Sequence, residues 1–118
     1  KNVLLAIAAT KMINIKSDPV RISISKFRGL PYRLQLIAAT REGMEFWNDS
    51  YGTNPAATKA AIEAMEKPTW LIVGGFSKKM NYDDLGKTIA DAKHIRGVLT
   101  VGETGKTIAN AAKKAGFS

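Results

Sequence analysis

Thr69-Trp70-Leu71-Ile72-Val73-Gly74-Gly75 is a short unbroken apolar run closed by a glycine pair. A run of this length, bounded by turn residues and rich in aromatic and β-branched side chains, reads as a strand buried in a sheet. Upstream of it, Asn54-Pro55 opens an alanine-rich helix that runs to about Met65, and Pro68 closes that segment. Downstream, Tyr82, Leu85, Ile89 and Ala92 fall on one helical face, with Asp83 and Asp84 near the positive N-terminal end of the helix. Val98 to Val101 reads as a second buried strand. Gly102 then turns the chain into a last helix that carries Ile108, Ala112 and Ala115 and stops at Gly116. Strands alternating with helices imply parallel strands joined by crossover helices.

Further out, the period changes. Leu34, Leu36 and Ala38 alternate, Arg41-Glu42-Gly43 makes a turn, and Met44 to Asn48 returns as the second arm of a hairpin. From Asn2 to Asn14 the residues Leu4, Ile7, Ala8 and Met12 keep helical spacing, which predicts a helix with one buried face. Between them the pattern is ambiguous: Val20, Ile22 and Ile24 alternate like a strand, whereas Val20, Ile24 and Phe27 are spaced like a helix. The cap-like Ser17-Asp18-Pro19 favours the helix. The predicted class is α/β: a Rossmann-like, mostly parallel sheet with flanking helices and an antiparallel hairpin near the N-terminal end.

Composition bounds the chemistry. A chain of 118 residues with 45% apolar and 24% charged residues suits one soluble globular domain. The absence of cysteine excludes disulfides and thiolate metal sites, and the single histidine, His94, cannot build a histidine-rich one. His94 reads as structural, near a helix C-terminus. Trp47 and Trp70 lie in strand segments and read as core residues. Lys1 and the apolar Val3 to Ala9 superficially resemble a signal peptide, but the run is far shorter than the roughly 20 residues of a membrane span. The missing initiator methionine suggests a piece of a longer protein. The net charge of +8 favours an anionic partner, yet the lysines are scattered, with no run of five or more, so a nucleic-acid stripe is not indicated.

In parallel α/β sheets ligands bind beyond the carboxyl ends of the strands, which directs attention to three loops. The first, Asn48 to Asn54, sets a carboxylate (Asp49), hydroxyls and amides before a helix N-terminus able to attract an anion. Equally, Asp49, Ser50 and Asn54 are ordinary turn formers and caps. The second, Gly74-Gly75-Phe76-Ser77-Lys78-Lys79, pairs close backbone approach with a lysine that can reach a phosphate or carboxylate, or else remains a solvated lysine pair. The third, Gly102-Glu103-Thr104-Gly105-Lys106-Thr107, looks like a nucleotide P-loop but fails its spacing, because Thr100 stands where the first glycine is required. Gly102 is better read as a strand-end turn.

Three ordered motifs now point to a family. Gly29-Leu30-Pro31-Tyr32-Arg33-Leu34, then Phe46-Trp47-Asn48-Asp49-Ser50-Tyr51-Gly52-Thr53-Asn54-Pro55-Ala56-Ala57-Thr58, then Leu71-Ile72-Val73-Gly74-Gly75-Phe76-Ser77-Lys78 resemble the carboxy-terminal domain of the Mur ligases, in its D-glutamate-adding branch. Asn2 to Ala9 is similar to the helix that links the central ATP-binding domain to this one. The resemblance implies a linking helical segment over 1-28 and the carboxy-terminal domain over 29-118, ending before the family's final serine- and phenylalanine-bearing segment.

The resemblance also implies a reaction. A Mur ligase of this branch uses ATP and Mg2+ to phosphorylate the L-alanine carboxylate of UDP-N-acetylmuramoyl-L-alanine, and the amine of D-glutamate attacks the acyl phosphate to give an amide, releasing ADP and phosphate. Such an enzyme is a cytoplasmic monomer of peptidoglycan synthesis, with no membrane or nucleic-acid partner. By motif position, Arg33, Asp49 and Asn2 correspond to ATP-binding residues, and Thr53 and Lys78 to D-glutamate-binding ones. Lys78 also takes the catalytic role, with Lys79 as its substitute if the loop register slips by one. No residue corresponds to a metal ligand; the metal belongs mainly to the central domain, and an isolated carboxy-terminal piece is expected to be inactive. Departures are Tyr51 where lysine is usual, Leu5 where the linking helix presents asparagine, and Lys1 in place of histidine. Tyr51 resembles instead the loop of the dipeptide-adding ligase. Other readings are a sister Mur ligase, a folylpolyglutamate-type ligase, or a non-catalytic basic module that binds polyanions.

Overall fold

The computed structural model describes residues 2–77 and 79–118. They divide into two compact units, one ending at Pro31 and the other Tyr32–Ser118.

The first unit is a pair of helices, α1 (Asn2–Met12) and α2 (Ser17–Lys26). α1 ends in a Schellman motif: Asn14 takes the left-handed conformation with φ 58°, its N–H donates to Lys11 O, and the Ile15 N–H donates to Thr10 O at 2.9 Å. Asparagine tolerates that conformation better than most side chains, which is why the helix stops there. The ambiguous segment after it is helical, but not through the expected cap. Lys16 occupies the cap position without a side-chain bond, and Ser17 Oγ accepts from Lys11 Nζ instead. The expected buried face of α1 is not buried: Leu4 and Met12 stand 70% and 83% exposed. Helical spacing reports which side chains share a stripe and does not supply the surface that covers them.

The second unit holds β1 (Gln35–Ala39), β2 (Glu45–Asn48), α3 (Pro55–Ala64), β3 (Thr69–Gly74), α4 (Asp83–Asp91), β4 (Ile95–Val101) and α5 (Gly105–Lys114). β1 and β2 form the predicted antiparallel hairpin, with a register irregularity between Leu36 and Ala38. β3 and β4 pair in parallel, with α4 as the crossover. The α/β class and the Rossmann-like arrangement are therefore as read.

The core lies between the parallel pair and its helices. Ile62 of α3, Leu85 and Ile89 of α4, Ile95 of β4, and Ile108 and Ala112 of α5 are buried together, with Leu71, Val73 and Val98 packed on them. α4 touches both α3 and α5, and its approach to α5 is close: a Cβ on Gly86 would lie 2.5 Å from the Ala111 carbonyl. α5 ends on a second Schellman motif, in which Gly116 N–H donates to Lys113 O and Phe117 N–H to Ala112 O. This motif turns Phe117 back onto the core.

Two expectations fail. β3 is not buried on both sides: Trp70 and Ile72 are 68% and 71% exposed, and Leu99 and Val101 of β4 about half exposed. An unbroken apolar run does not say how many of its faces are covered, and among the described residues the packed helices contact only the Leu71, Val73 and Val98 side. For the same reason Trp70 is not a core residue. Nor is Trp47, which is 43% exposed with its indole N–H donated to Glu45 Oε2.

Candidate functional site

Two corners of the second unit carry the loops singled out in the sequence. The first joins the segment before β1 to the loop after β2. Asp49 Oδ1 accepts the Leu34 N–H at 2.9 Å, and Tyr32 O accepts the Tyr51 N–H at 3.0 Å. The loop itself is built from asparagine and aspartate turn chemistry. Asn48 Oδ1 accepts the Ser50 N–H, Asp49 O accepts the Gly52 N–H at 2.7 Å, and Asn54 Oδ1 caps α3 by accepting the Ala57 N–H at 2.9 Å. Pro55 then fits the first helical position, where no N–H is needed.

This corner brings Arg33, Asp49 and Thr53 into one tethered loop pair. Arg33 and Thr53 are exposed and Asp49 is half-buried. The Arg33 guanidinium lies 6.0 Å from the centre of the Tyr51 ring, which stacks in turn on Tyr32. Asp49 forms the turn through its backbone carbonyl, which accepts the Gly52 N–H, while one carboxylate oxygen tethers the Leu34 amide. An exposed cation on a segment tethered to the loop that leads into α3 can attract an anion.

The second corner lies at the carboxyl ends of β3 and β4. Gly75 N–H donates to Val101 O at 3.1 Å, and Gly75 O accepts both the Thr104 N–H and the Thr104 hydroxyl. Glu103 Oε2 accepts the Ser77 N–H at 3.0 Å. The crossing needs glycine. Gly74 has φ +139°, and a Cβ there would meet Val101 O at 1.9 Å; Gly102 has φ +68° and lies against Gly75. Gly102 is the strand-end turn read in the sequence. The Thr104 N–H is bonded to Gly75 O and the Gly105 N–H to Gly102 O, so these two amides are not free to cradle a phosphate. Glu103 and Thr104 were not singled out in sequence, where nothing marks them as the staples of the neighbouring loop.

Lys78, assigned both the catalytic and a D-glutamate-binding role, lies outside the described residues. Asn2 lies in α1 of the first unit. Lys79, the substitute for Lys78, is exposed at φ 52° and lines an open groove of about 560 Å³ with Asn81, Thr107 and Lys114. None of Arg33, Asp49 or Thr53 lines that groove. His94 is structural: it lies in the turn between α4 and β4, and its Nε2 is 3.0 Å from Ile62 O in the last turn of α3. A carbonyl only accepts, so Nε2 carries the proton.

Comparison with known proteins places the chain in a family. The family model for the Mur ligase glutamate ligase domain matches residues 32–118. The chain belongs to this Mur ligase family. Its match takes in Arg33, both loops of the first corner and the whole β3-α4-β4-α5 unit. Similarity to individual Mur ligases extends further. The chain is 40% identical over 117 residues, 99% of its length, to a UDP-N-acetylmuramoylalanine--D-glutamate ligase of Lachnospira eligens. It is 38% identical over 116 residues to the ligase of that name from Lachnoclostridium phytofermentans, and 32% identical over 117 residues to that of Bacillus thuringiensis. The chain spans about a quarter of the length of these relatives. Among the described residues no three acidic or histidine side chains converge as a metal cage, and no helix is long and apolar enough to cross a membrane.

Proposed function

We propose that this Mur ligase domain serves an ATP-dependent ligase that joins D-glutamate to UDP-N-acetylmuramoyl-L-alanine, a cytoplasmic step of peptidoglycan synthesis. The observation that carries the reading is the first corner, where Arg33, Asp49 and Thr53 occupy one pair of loops fastened by the Leu34–Asp49 bond. Arg33 and Asp49 take the nucleotide, the guanidinium through its phosphates and the carboxylate through its ribose side, with Asn2 of the linking segment 1–28 as a further contact. Thr53 and Lys78 take D-glutamate.

The chemistry explains why such groups are needed. The L-alanine carboxylate oxygen attacks the terminal phosphorus of ATP and ADP leaves; the amine nitrogen of D-glutamate then attacks the acyl carbon and phosphate leaves. Both steps gather negative charge, and the second requires the amine to be held in line with the carbonyl. A fixed guanidinium serves the first need and a hydroxyl with a lysine serves the second. By the family resemblance, Mg2+ belongs mainly to the central domain, and no step is assigned to it on this one.

A chimera tests the reading. The matching quarter of the Lachnospira eligens ligase is replaced by this chain, and ADP release is followed with UDP-N-acetylmuramoyl-L-alanine, ATP and each candidate amino acid. Release that depends on D-glutamate is expected. A soluble, folded chimera that responds to another amino acid and not to D-glutamate would refute the assignment.

A further inference from the structure

Arg33 is presented by a backbone that side chains other than glycine avoid. Tyr32 and Leu34, its two neighbours, have φ of 61° and 42°. Bulky residues in that region are costly and persist only where their surroundings over-determine them. The surroundings here come from one loop. Asp49 holds the Leu34 N–H, the Tyr51 N–H holds Tyr32 O at 3.0 Å, and the Tyr51 ring stacks on the Tyr32 ring with centroids 6.4 Å apart and planes 13° apart.

The Tyr51 ring does not belong to the core. It is 63% exposed, and Tyr32 is 51% exposed, so burial does not account for the stack. What the stack carries is the Arg33 guanidinium, 6.0 Å from the Tyr51 centroid. Among the described residues no carboxylate pairs with Arg33. An aromatic surface holds a guanidinium without using its N–H donors, so the fork that recognises two phosphate oxygens stays free.

We propose that Tyr51 is a positioning residue for Arg33: its ring, braced by Tyr32, restricts the guanidinium to the orientation in which it meets a polyphosphate. The inference rests on the reading that Arg33 contacts the nucleotide phosphates. An arginine already held in place loses less freedom on binding than one that is free.

The test uses this chain and inorganic tripolyphosphate, followed by the Arg33 Nε–Hε resonance, with backbone amide dispersion confirming the fold. In Y51A that resonance becomes more mobile and tripolyphosphate binds about two- to five-fold more weakly, the change that corresponds to one exposed cation–π contact. Y51F keeps the ring and restores both. R33Q reports on the underlying reading. Binding that R33Q abolishes but Y51A leaves unchanged overturns the positioning role alone. Binding that R33Q also leaves unchanged overturns the assignment of Arg33 to phosphate, and the proposal with it.

Discussion

The Leu34 backbone N–H donates to Asp49 Oδ1 at 2.9 Å, tying the segment before β1 to the loop after β2 across fifteen positions of sequence. One oxygen of the carboxylate assigned to the nucleotide is therefore also a structural acceptor. The two roles are compatible, because a carboxylate has more acceptor sites than this single amide uses.

Asp49→Ala separates them. It leaves a half-buried N–H without its partner and loosens the segment in which Tyr32 and Leu34 hold left-handed conformations, so a loss of about 1–3 kcal/mol is expected in urea unfolding. Asp49→Asn retains an acceptor oxygen and loses less. An unfolding midpoint unchanged in Asp49→Ala would mean that the bond contributes nothing to stability.

Gly74→Ala acts at the other corner. The added Cβ would lie 1.9 Å from Val101 O, at a φ of +139° that alanine does not adopt, so β3 and β4 must part at their carboxyl ends. A loss of at least about 2 kcal/mol is expected, together with faster hydrogen exchange of the Gly75 amide, which donates to Val101 O. A variant as stable as the parent would show that the crossing of the two loops is not tight.

These two sites also show what could be read in advance. The strand-helix alternation, the hairpin and the Asn54-Pro55 helix start were legible because each rests on local periodicity or cap chemistry. Arg33 and Thr53 were singled out only through an ordered set of motifs, whereas the Asp49 loop was also marked by its place after a strand. The Tyr32–Tyr51 stack and the Glu103 and Thr104 staples were not, since each joins side chains or backbone groups through long-range geometry. Trp47, Trp70 and the stripe of α1 misled for one physical reason: apolarity marks a surface that gains from cover, not the presence of the cover.

Gly86→Ala is expected to destabilise even though alanine is the better helix former by roughly 1 kcal/mol. Its Cβ would stand 2.5 Å from the Ala111 carbonyl, where α4 meets α5. Separating two helices in a buried core costs about 1–3 kcal/mol, so the clash outweighs the propensity. Thermal unfolding measures the balance. A raised midpoint would show that α5 can move away at little cost.

Acid sensitivity should depend in part on the turn region of the hairpin and its ion pair with the segment between α3 and β3. The Lys67 ammonium, 2.6 Å from Glu45 Oε1, holds the Glu45 carboxyl below the usual glutamate range, with a further contribution from the Trp47 indole N–H. The Glu42 carboxyl is lowered too, by its own backbone amide and then by the Thr40 hydroxyl. For both groups the unfolded chain binds a proton more readily than the folded one. Their contribution is therefore present above the ordinary value of 4.5 and is lost as the pH falls through the lowered folded values. In E42Q/E45Q the drop in urea midpoint between about pH 7 and about pH 3 should be smaller than in the parent, because neither side chain then takes up a proton. E45Q alone should give part of that change. The Lys67 side chain is 69% exposed and the Glu45 side chain 29%, so salt should weaken the Glu45 contribution. An acid drop of the same size in the double variant would mean that other carboxylates govern the acid limb.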